Sequence, residues 1–277
     1  MNIKKNIKRI VKFFNSKEKI VSTNLSNIDE LLNGKNAIIT GGSGGIGLAI
    51  AERFLSAGCN VIITGTNKEK LIRCSSHLNS DKLQNMVLDL NNVSEIKRNV
   101  EQAIELFPCN KIDILVNCAG VNLQKGFFET REKDFDNTLD VNVKGTFFIC
   151  QAVAEYMIKN KIKGHILNIS SSSALRPAWS PYEISKWALK GMTLGLADAL
   201  IPYGIVVNAI APGPTATPML GVDASGDIDL STSPIGRYIT PDEIANLALV
   251  LVSSLGDIVI GDTLYATGGS GVISLHR

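Results

Sequence analysis

Six short apolar runs, each followed by a helix-length segment, constrain this chain more than any other feature. "NAIIT" (36–40), "NVIIT" (60–64), "NMVLD" (85–89), "IDILVN" (112–117), "GHILNIS" (164–170) and "GIVVNAI" (204–210) are apolar almost throughout. A strand covered on one face alternates apolar and polar residues; a near-continuous run needs cover on both faces. Helical patterns at roughly 45–57, 67–78, 92–107, 133–160, 180–201 and 241–254 supply that cover. The last opens with Thr240 before Pro241, and Asp242 and Glu243 fill its first turn, a helix-start signature. Repeated strand–helix units run parallel through right-handed crossovers. The pattern predicts an α/β fold with a doubly wound, mainly parallel seven-stranded sheet, the seventh strand being "DTLYAT" (262–267).

Neither an internal repeat nor a linker divides the chain after residue 34, so residues 34–277 are expected to form one domain. Residues 1–33 differ. Ile3, Ile7, Ile10, Val11 and Phe14 share one helical stripe, while Lys4, Lys5, Lys8, Arg9 and Lys12 fill the rest. Such a basic amphipathic extension can touch an anionic membrane surface through residues 1–20, pack on the domain or a neighbouring subunit, or stay loosely ordered. Packing is the commoner fate. No apolar run is long enough to span a bilayer, and the N-terminus lacks the apolar core and cleavage site of a secretory signal.

The formal net charge of +2 offers no argument for a nucleic-acid partner. Cys59, Cys74, Cys109, Cys118 and Cys150 form no C-x-x-C pair, and the three histidines are scattered, so no metal site is expected. Reduced thiols in a cytoplasmic protein are the simplest reading.

"TGGSGGIG" (40–47) leaves the first strand and opens a helix. Glycine lets the backbone turn tightly and approach a pyrophosphate, to which the helix offers free N–H groups and its positive dipole end. The strand–turn–helix context marks a dinucleotide site on a Rossmann-type fold. Two registers fit: Gly41, Gly45 and Gly47, or Gly41, Gly44 and Gly47.

Tyr182 and Lys186 stand four apart in a helical pattern and share one face. A lysine cation beside a phenol favours the phenolate and lowers its pKa, which makes the tyrosine a usable acid or base in carbonyl chemistry.

Taken in order, "TGGSGGIG", "NCAG" (117–120), "VNVKG" (141–145), "NISS" (168–171), "YEISK" (182–186) and "APG" (211–213) resemble the short-chain dehydrogenase/reductase family over about residues 35–271. The length and the Gly-Ile-Gly ending of the turn favour its single-domain branch, with a general pattern closest to 3-oxoacyl-carrier-protein reductases and related alcohol dehydrogenases. The resemblance implies hydride transfer between a nicotinamide and a carbonyl or alcohol carbon. It implies Tyr182 as the proton-transferring group, Lys186 as its partner and ribose contact, Ser171 as the donor to the substrate oxygen, and Asn142 as the support of a proton relay. Ser173 is the runner-up to Ser171; Ser170 and Ser172 read as polar loop residues. The Ser171–Tyr182 gap is shorter than in many members, so "ALRPAWSP" (174–181) is expected to be a shortened loop.

The cofactor contacts implied are Gly41, Ser43, Gly44, Gly45, Ile46 and Gly47 in the turn, Thr66 and Asn67 after the second strand, and Asp89 and Leu90 after the third. Asn117, Ala119, Gly120, Pro212, Gly213, Thr215 and Thr217 join Tyr182 and Lys186 to complete the set. Gly65 holds the place where a carboxylate selects NAD, so NADP is expected over NAD. Polar, glycine-containing residues 218–238 are expected to be the substrate loop. The partners expected are a small carbonyl or alcohol compound and further copies of this chain, as a dimer or homotetramer. Two other readings stand beside the enzyme: a non-catalytic dinucleotide-binding regulator, and a membrane-peripheral reductase of a lipid or glycan precursor.

Overall fold

The structure, a computed structural model, describes residues 28–273. The basic stripe of residues 3–14 lies outside them. Strands β1 (Asn36–Thr40), β2 (Asn60–Gly65), β3 (Leu83–Val87), β4 (Ile114–Asn117), β5 (His165–Ile169), β6 (Val206–Pro212) and β7 (Thr263–Ala266) form one sheet. Their order is β3-β2-β1-β4-β5-β6-β7 and every pairing is parallel. The order reverses between β1 and β4, which opens a crevice at the strands' C-terminal ends, the place where such sheets bind ligands.

Helices α1 (Gly45–Ser56), α2 (Lys68–Leu78), α3 (Val93–Glu105), α4 (Glu132–Leu139), α5 (Thr146–Lys159), α6 (Pro181–Leu200) and α7 (Pro241–Leu251) cover the sheet. Neighbouring residues of each strand face opposite sides. Ile39, Ile63 and Val116 pack with residues of α1 and α7, such as Ile50, Phe54 and Leu249. Ile38, Ile62 and Leu115 pack with Val100, Val153 and Ala197 of α3, α5 and α6. Each buried aliphatic side chain contributes about 1.5–3 kcal/mol relative to exposure. Two-sided burial is why the strands read as unbroken apolar runs.

Two elements differ from expectation. The third strand, expected at 85–89, occupies Leu83–Val87. Its residues are less buried than those of the central strands because β3 is an edge, so the apolar pattern is weakest there. Asp89 therefore lies past the strand, where its Oδ1 accepts a hydrogen bond from the Asn91 N–H (2.9 Å). The helix expected over 133–160 is two helices joined by a π-helical stretch, Asp140–Gly145. There Gly145 meets the loop after β3: a Cβ on it would sit 2.5 Å from Leu90 O.

α6, the helix of Tyr182, starts where local chemistry directs. Ser180 Oγ accepts from the Glu183 N–H, and Glu183 Oε2 accepts from the Ser180 N–H (2.9 Å), with Pro181 at the first position. Glu183 also accepts from the Trp179 N–H (3.0 Å), so it holds the approach to the helix in place.

Candidate active site

The glycine turn is sterically closed around itself. A Cβ on Gly41 would lie 2.7 Å from Ala119 Cα, and one on Gly47 would lie 2.4 Å from Gly41 O. Gly41 and Gly45 adopt φ of +65° and +49°, a region costly to other residues. Gly44 is extended, with φ −174°. The backbone therefore requires glycine at 41, 45 and 47, which resolves the register. Ile46 packs onto the core under the turn.

Thr40 fastens this turn to the loop after β4. Its Oγ1 accepts from the N–H groups of Cys118 and Ala119, both at 3.2 Å. From the other side, the Thr217 methyl lies 3.1 Å from a Cβ position on Gly45. The segment carrying Thr217 leaves β6 through Pro212 and Gly213, where a Cβ on Gly213 would meet Thr267 O at 2.6 Å. Thr215 and Thr217 turn their hydroxyls back to Gly213 O (3.0 Å) and Thr215 O (3.3 Å). Three loops thus meet over the C-terminal ends of β1, β4 and β6.

The candidate reacting groups stand beside them. Lys186 is buried and its Nζ donates to Ile169 O (2.9 Å). That ammonium lies 5.4 Å from the Tyr182 ring centroid. Ser170 Oγ donates to Lys186 O (3.2 Å), so Ser170 fastens β5 to α6. Ser171 caps a short 3-10 turn, Ser172–Leu175, and its side chain lies close enough to the Tyr182 phenol to influence its titration. The Ser173 N–H donates to Ser171 Oγ (3.1 Å), with Ser173 Oγ also 3.1 Å away. Ser171 thus stands on the Tyr182 side of the loop, with Ser173 hydrogen-bonded to it.

Asn142 is fully engaged within the π-helical stretch. Its Oδ1 accepts from the Val121 N–H (2.8 Å), and its Nδ2 donates to Val121 O and Ser185 Oγ, both at 3.0 Å. A Cβ on Gly120 would lie 3.3 Å from Asn142 Oδ1 and 3.8 Å from Lys186 Nζ. Asn142, Gly120 and Lys186 thus enclose one small space. Ser185, unremarked in the sequence, links this space to α6 by donating to Tyr182 O (2.6 Å).

The titration expected for Tyr182 is corrected. Burial pushes the phenol up, and the hydrogen bond from Ser171 only partly opposes it. Burial also lowers Lys186 to about 8, which weakens the cation expected to favour the phenolate. Both shifts share one cause: a low-dielectric site disfavours whichever form is charged.

Other expected contacts are spread more widely. Asn117 is 4% exposed and faces inward, donating to Asn168 Oδ1 (2.9 Å), whose amide in turn donates to Thr193 Oγ1 (3.0 Å). This chain fastens β4, β5 and α6. Asn67 caps α2, accepting from the Lys70 N–H (2.9 Å), while Thr66 beside it is exposed. Leu90 is buried in the core, and exposed Asp89 precedes it. Lys70, passed over in the sequence, rests on the glycine turn: its Nζ lies 2.8 Å from a Cβ position on Gly44. Only its place in the first turn of α2 hinted at that reach.

A family model described as short chain dehydrogenase matches residues 35–226. The 3-oxoacyl-[acyl-carrier-protein] reductase of Aquifex aeolicus is 36% identical over 86% of this chain and 98% of its own length. The solved structure of a 3-ketoacyl-(acyl-carrier-protein) reductase from Brucella melitensis, complexed with NADH, superposes with a TM-score of 0.80. It is 29% identical and covers 87% of this chain and 100% of that one. A gluconate 5-dehydrogenase from Burkholderia cenocepacia J2315, in complex with NADP and tartrate, gives 0.80 at 30% identity, covering 89% and 99%.

Proposed function

This chain belongs to the short-chain dehydrogenase/reductase family, oxidoreductases of carbonyl and alcohol substrates, and we propose that it works with NADP through Tyr182, Lys186, Ser171 and Asn142. The observation that carries the reading is the buried Lys186 ammonium 5.4 Å from the Tyr182 ring, with the Ser171 side chain beside the same phenol. The glycine turn fits a dinucleotide, because glycine at 41, 45 and 47 lets the backbone fold tightly at the start of α1, whose free N–H groups suit a pyrophosphate. Gly41, Ser43, Gly45, Ile46, Gly47, Gly120, Thr215 and Thr217 would surround it. The nicotinamide, when bound, supplies or takes up the hydride.

Tyr182 is kept protonated by burial, the form that carbonyl reduction needs. Its hydroxyl gives its proton to the oxygen as charge develops there. Ser171, whose side chain lies beside the Tyr182 phenol, orients the same oxygen and stabilises that charge. Lys186 favours the phenolate left behind, and Asn142 holds the space through which a proton returns.

NADP over NAD is supported by Gly65, which ends β2 with no carboxylate to repel a 2′-phosphate. The substrate loop is residues 218–238, anchored near the site where Gln124 Nε2 donates to Met219 O (2.9 Å). A homo-oligomer is supported by α6, whose outer face exposes Ile184, Trp187 and Leu194 alongside Gly191 and Gly195. Among the described residues no helix is long and apolar enough to cross a membrane, and the five cysteines are free; a cytoplasmic location fits both.

Loss of reduced-nicotinamide absorbance with a panel of ketones and 3-oxoacyl thioesters tests the reading. Turnover that is faster with NADPH than with NADH is expected. Dinucleotide binding with no turnover of any carbonyl, nor of the matching alcohols with oxidised nicotinamide, would favour the regulatory reading instead.

A further inference from the structure

Lys70 occupies a place that the chemistry above leaves unexplained. Asn67 Oδ1 accepts from the Lys70 N–H (2.9 Å), which fixes the first turn of α2, and the Lys70 side chain reaches the glycine turn. Its ammonium lies 2.8 Å from a Cβ position on Gly44, and its Cε lies 3.5 Å away. The same turn is tied to α2 one helical turn later, where Cys74 Sγ donates to Ser43 O (3.3 Å). Ser43 Oγ in turn lies 3.3 Å from a Cβ position on Gly65, the last residue of β2. Gly44, Ser43, Gly65 and Lys70, from three separate elements, therefore converge on one spot.

That spot carries one positive charge and a hydroxyl. Among the described residues no carboxylate or hydrogen-bond acceptor engages the Lys70 ammonium, so its charge is unspent. In a sheet of this order the adenosine ribose of a bound dinucleotide faces the end of β2. An added phosphate there needs a cation and donors, with no carboxylate in the way.

We infer that Lys70, with Ser43 as a second donor, is the residue that recognises the 2′-phosphate of NADP. The inference rests on the NADP reading above and assigns it to a side chain one helical turn beyond Thr66 and Asn67. Lys68, two positions earlier, makes no such contact with the turn. The glycine at 65 has a second part in this arrangement, because a side chain there would press on Ser43 Oγ.

The same ammonium would serve a pyrophosphate if the nucleotide lay closer to Gly44, and the two phosphates are separable by titration. NADPH and NADH are titrated by fluorescence into the wild type, Lys70→Met and Lys70→Arg. Loss of one charged hydrogen bond predicts about ten- to hundredfold weaker NADPH binding by Lys70→Met, unchanged NADH binding, and substantial recovery in Lys70→Arg. Equal weakening toward both nucleotides would assign the lysine to the pyrophosphate and overturn the inference; so would unchanged NADPH binding. Either result leaves the NADP reading standing if the wild type still prefers NADPH. A wild type that binds NADH more tightly overturns the reading and the inference with it.

Discussion

The two ends of the sheet handle buried polar groups in opposite ways. At the N-terminal end Asp113 is 1% exposed and surrounded by partners. Its Oδ1 lies 2.6 Å from Lys111 Nζ and 3.8 Å from Lys35 Nζ, and its Oδ2 accepts from the Asn36 N–H (3.1 Å). Nearby, His165 Nε2 lies 3.1 Å from Asp257 Oδ1, and Asn60 Nδ2 donates to Asn36 Oδ1 (2.9 Å). These ion pairs and hydrogen bonds close that end, with Asp113 Oδ1 held by charge alone. At the C-terminal end Thr40, Asn142 and Ser170 are consumed in holding loops. The Tyr182 hydroxyl stands beside the Ser171 side chain, which hydrogen-bonds Ser173, and the Lys186 ammonium lies behind. Buried polarity at one end is structural, and at the other it is scaffolding around hydroxyls with capacity to spare.

The largest effect expected is on Tyr182→Phe. It should lower kcat about 10²–10⁴-fold, the usual worth of a general acid, with cofactor affinity unchanged. Ser171→Ala should lower kcat about 10²-fold, since it removes one donor to the developing oxyanion. Ser173→Ala should cost far less, because Ser173 only backs Ser171. Equal losses in the two serine variants would make Ser173 a partner in the chemistry rather than its support.

The opposite end should respond in stability alone. Asp113→Ala leaves the Asn36 N–H and two lysines without their acceptor. A loss of about 1–3 kcal/mol in denaturant unfolding is expected, with turnover per folded molecule unchanged. A selective fall in kcat would contradict the division between the two ends.

The mildest signature is one of pH. Lys186 is lowered by burial from 10.5 to about 8, so between those values the unfolded chain holds a proton that the folded chain has lost. Folding stability should therefore rise with pH across that window, and the penalty for burying the charge is fully present below it. Lys186→Met should abolish the rise. Urea titrations of the nucleotide-free protein at several pH values measure it.

Much of this was legible in the sequence because it follows from periodicity and sterics. Apolar runs located the central strands, and the glycine spacing located the turn. The rest depended on three-dimensional neighbours. β3 was misplaced by two residues because an edge strand lacks two-sided burial. Asn117 reads as a motif residue, yet its amide is taken by Asn168 on the adjacent strand. Tyr182 and Lys186 were correctly paired by helical spacing, but their titration is set by burial, which spacing does not reveal. Lys70 was missed because its reach to Gly44 depends on the angle at which α2 leaves β2.

Isotope transfer tests the central claim most directly. Reduced nicotinamide deuterated at C4 is supplied with whichever ketone turns over, to the wild type and to Tyr182→Phe. The account predicts that deuterium appears on the carbinol carbon of the product and that its delivery slows at least about 10²-fold in the variant. Solvent hydrogen on that carbon, or equal rates in the two proteins, would contradict it.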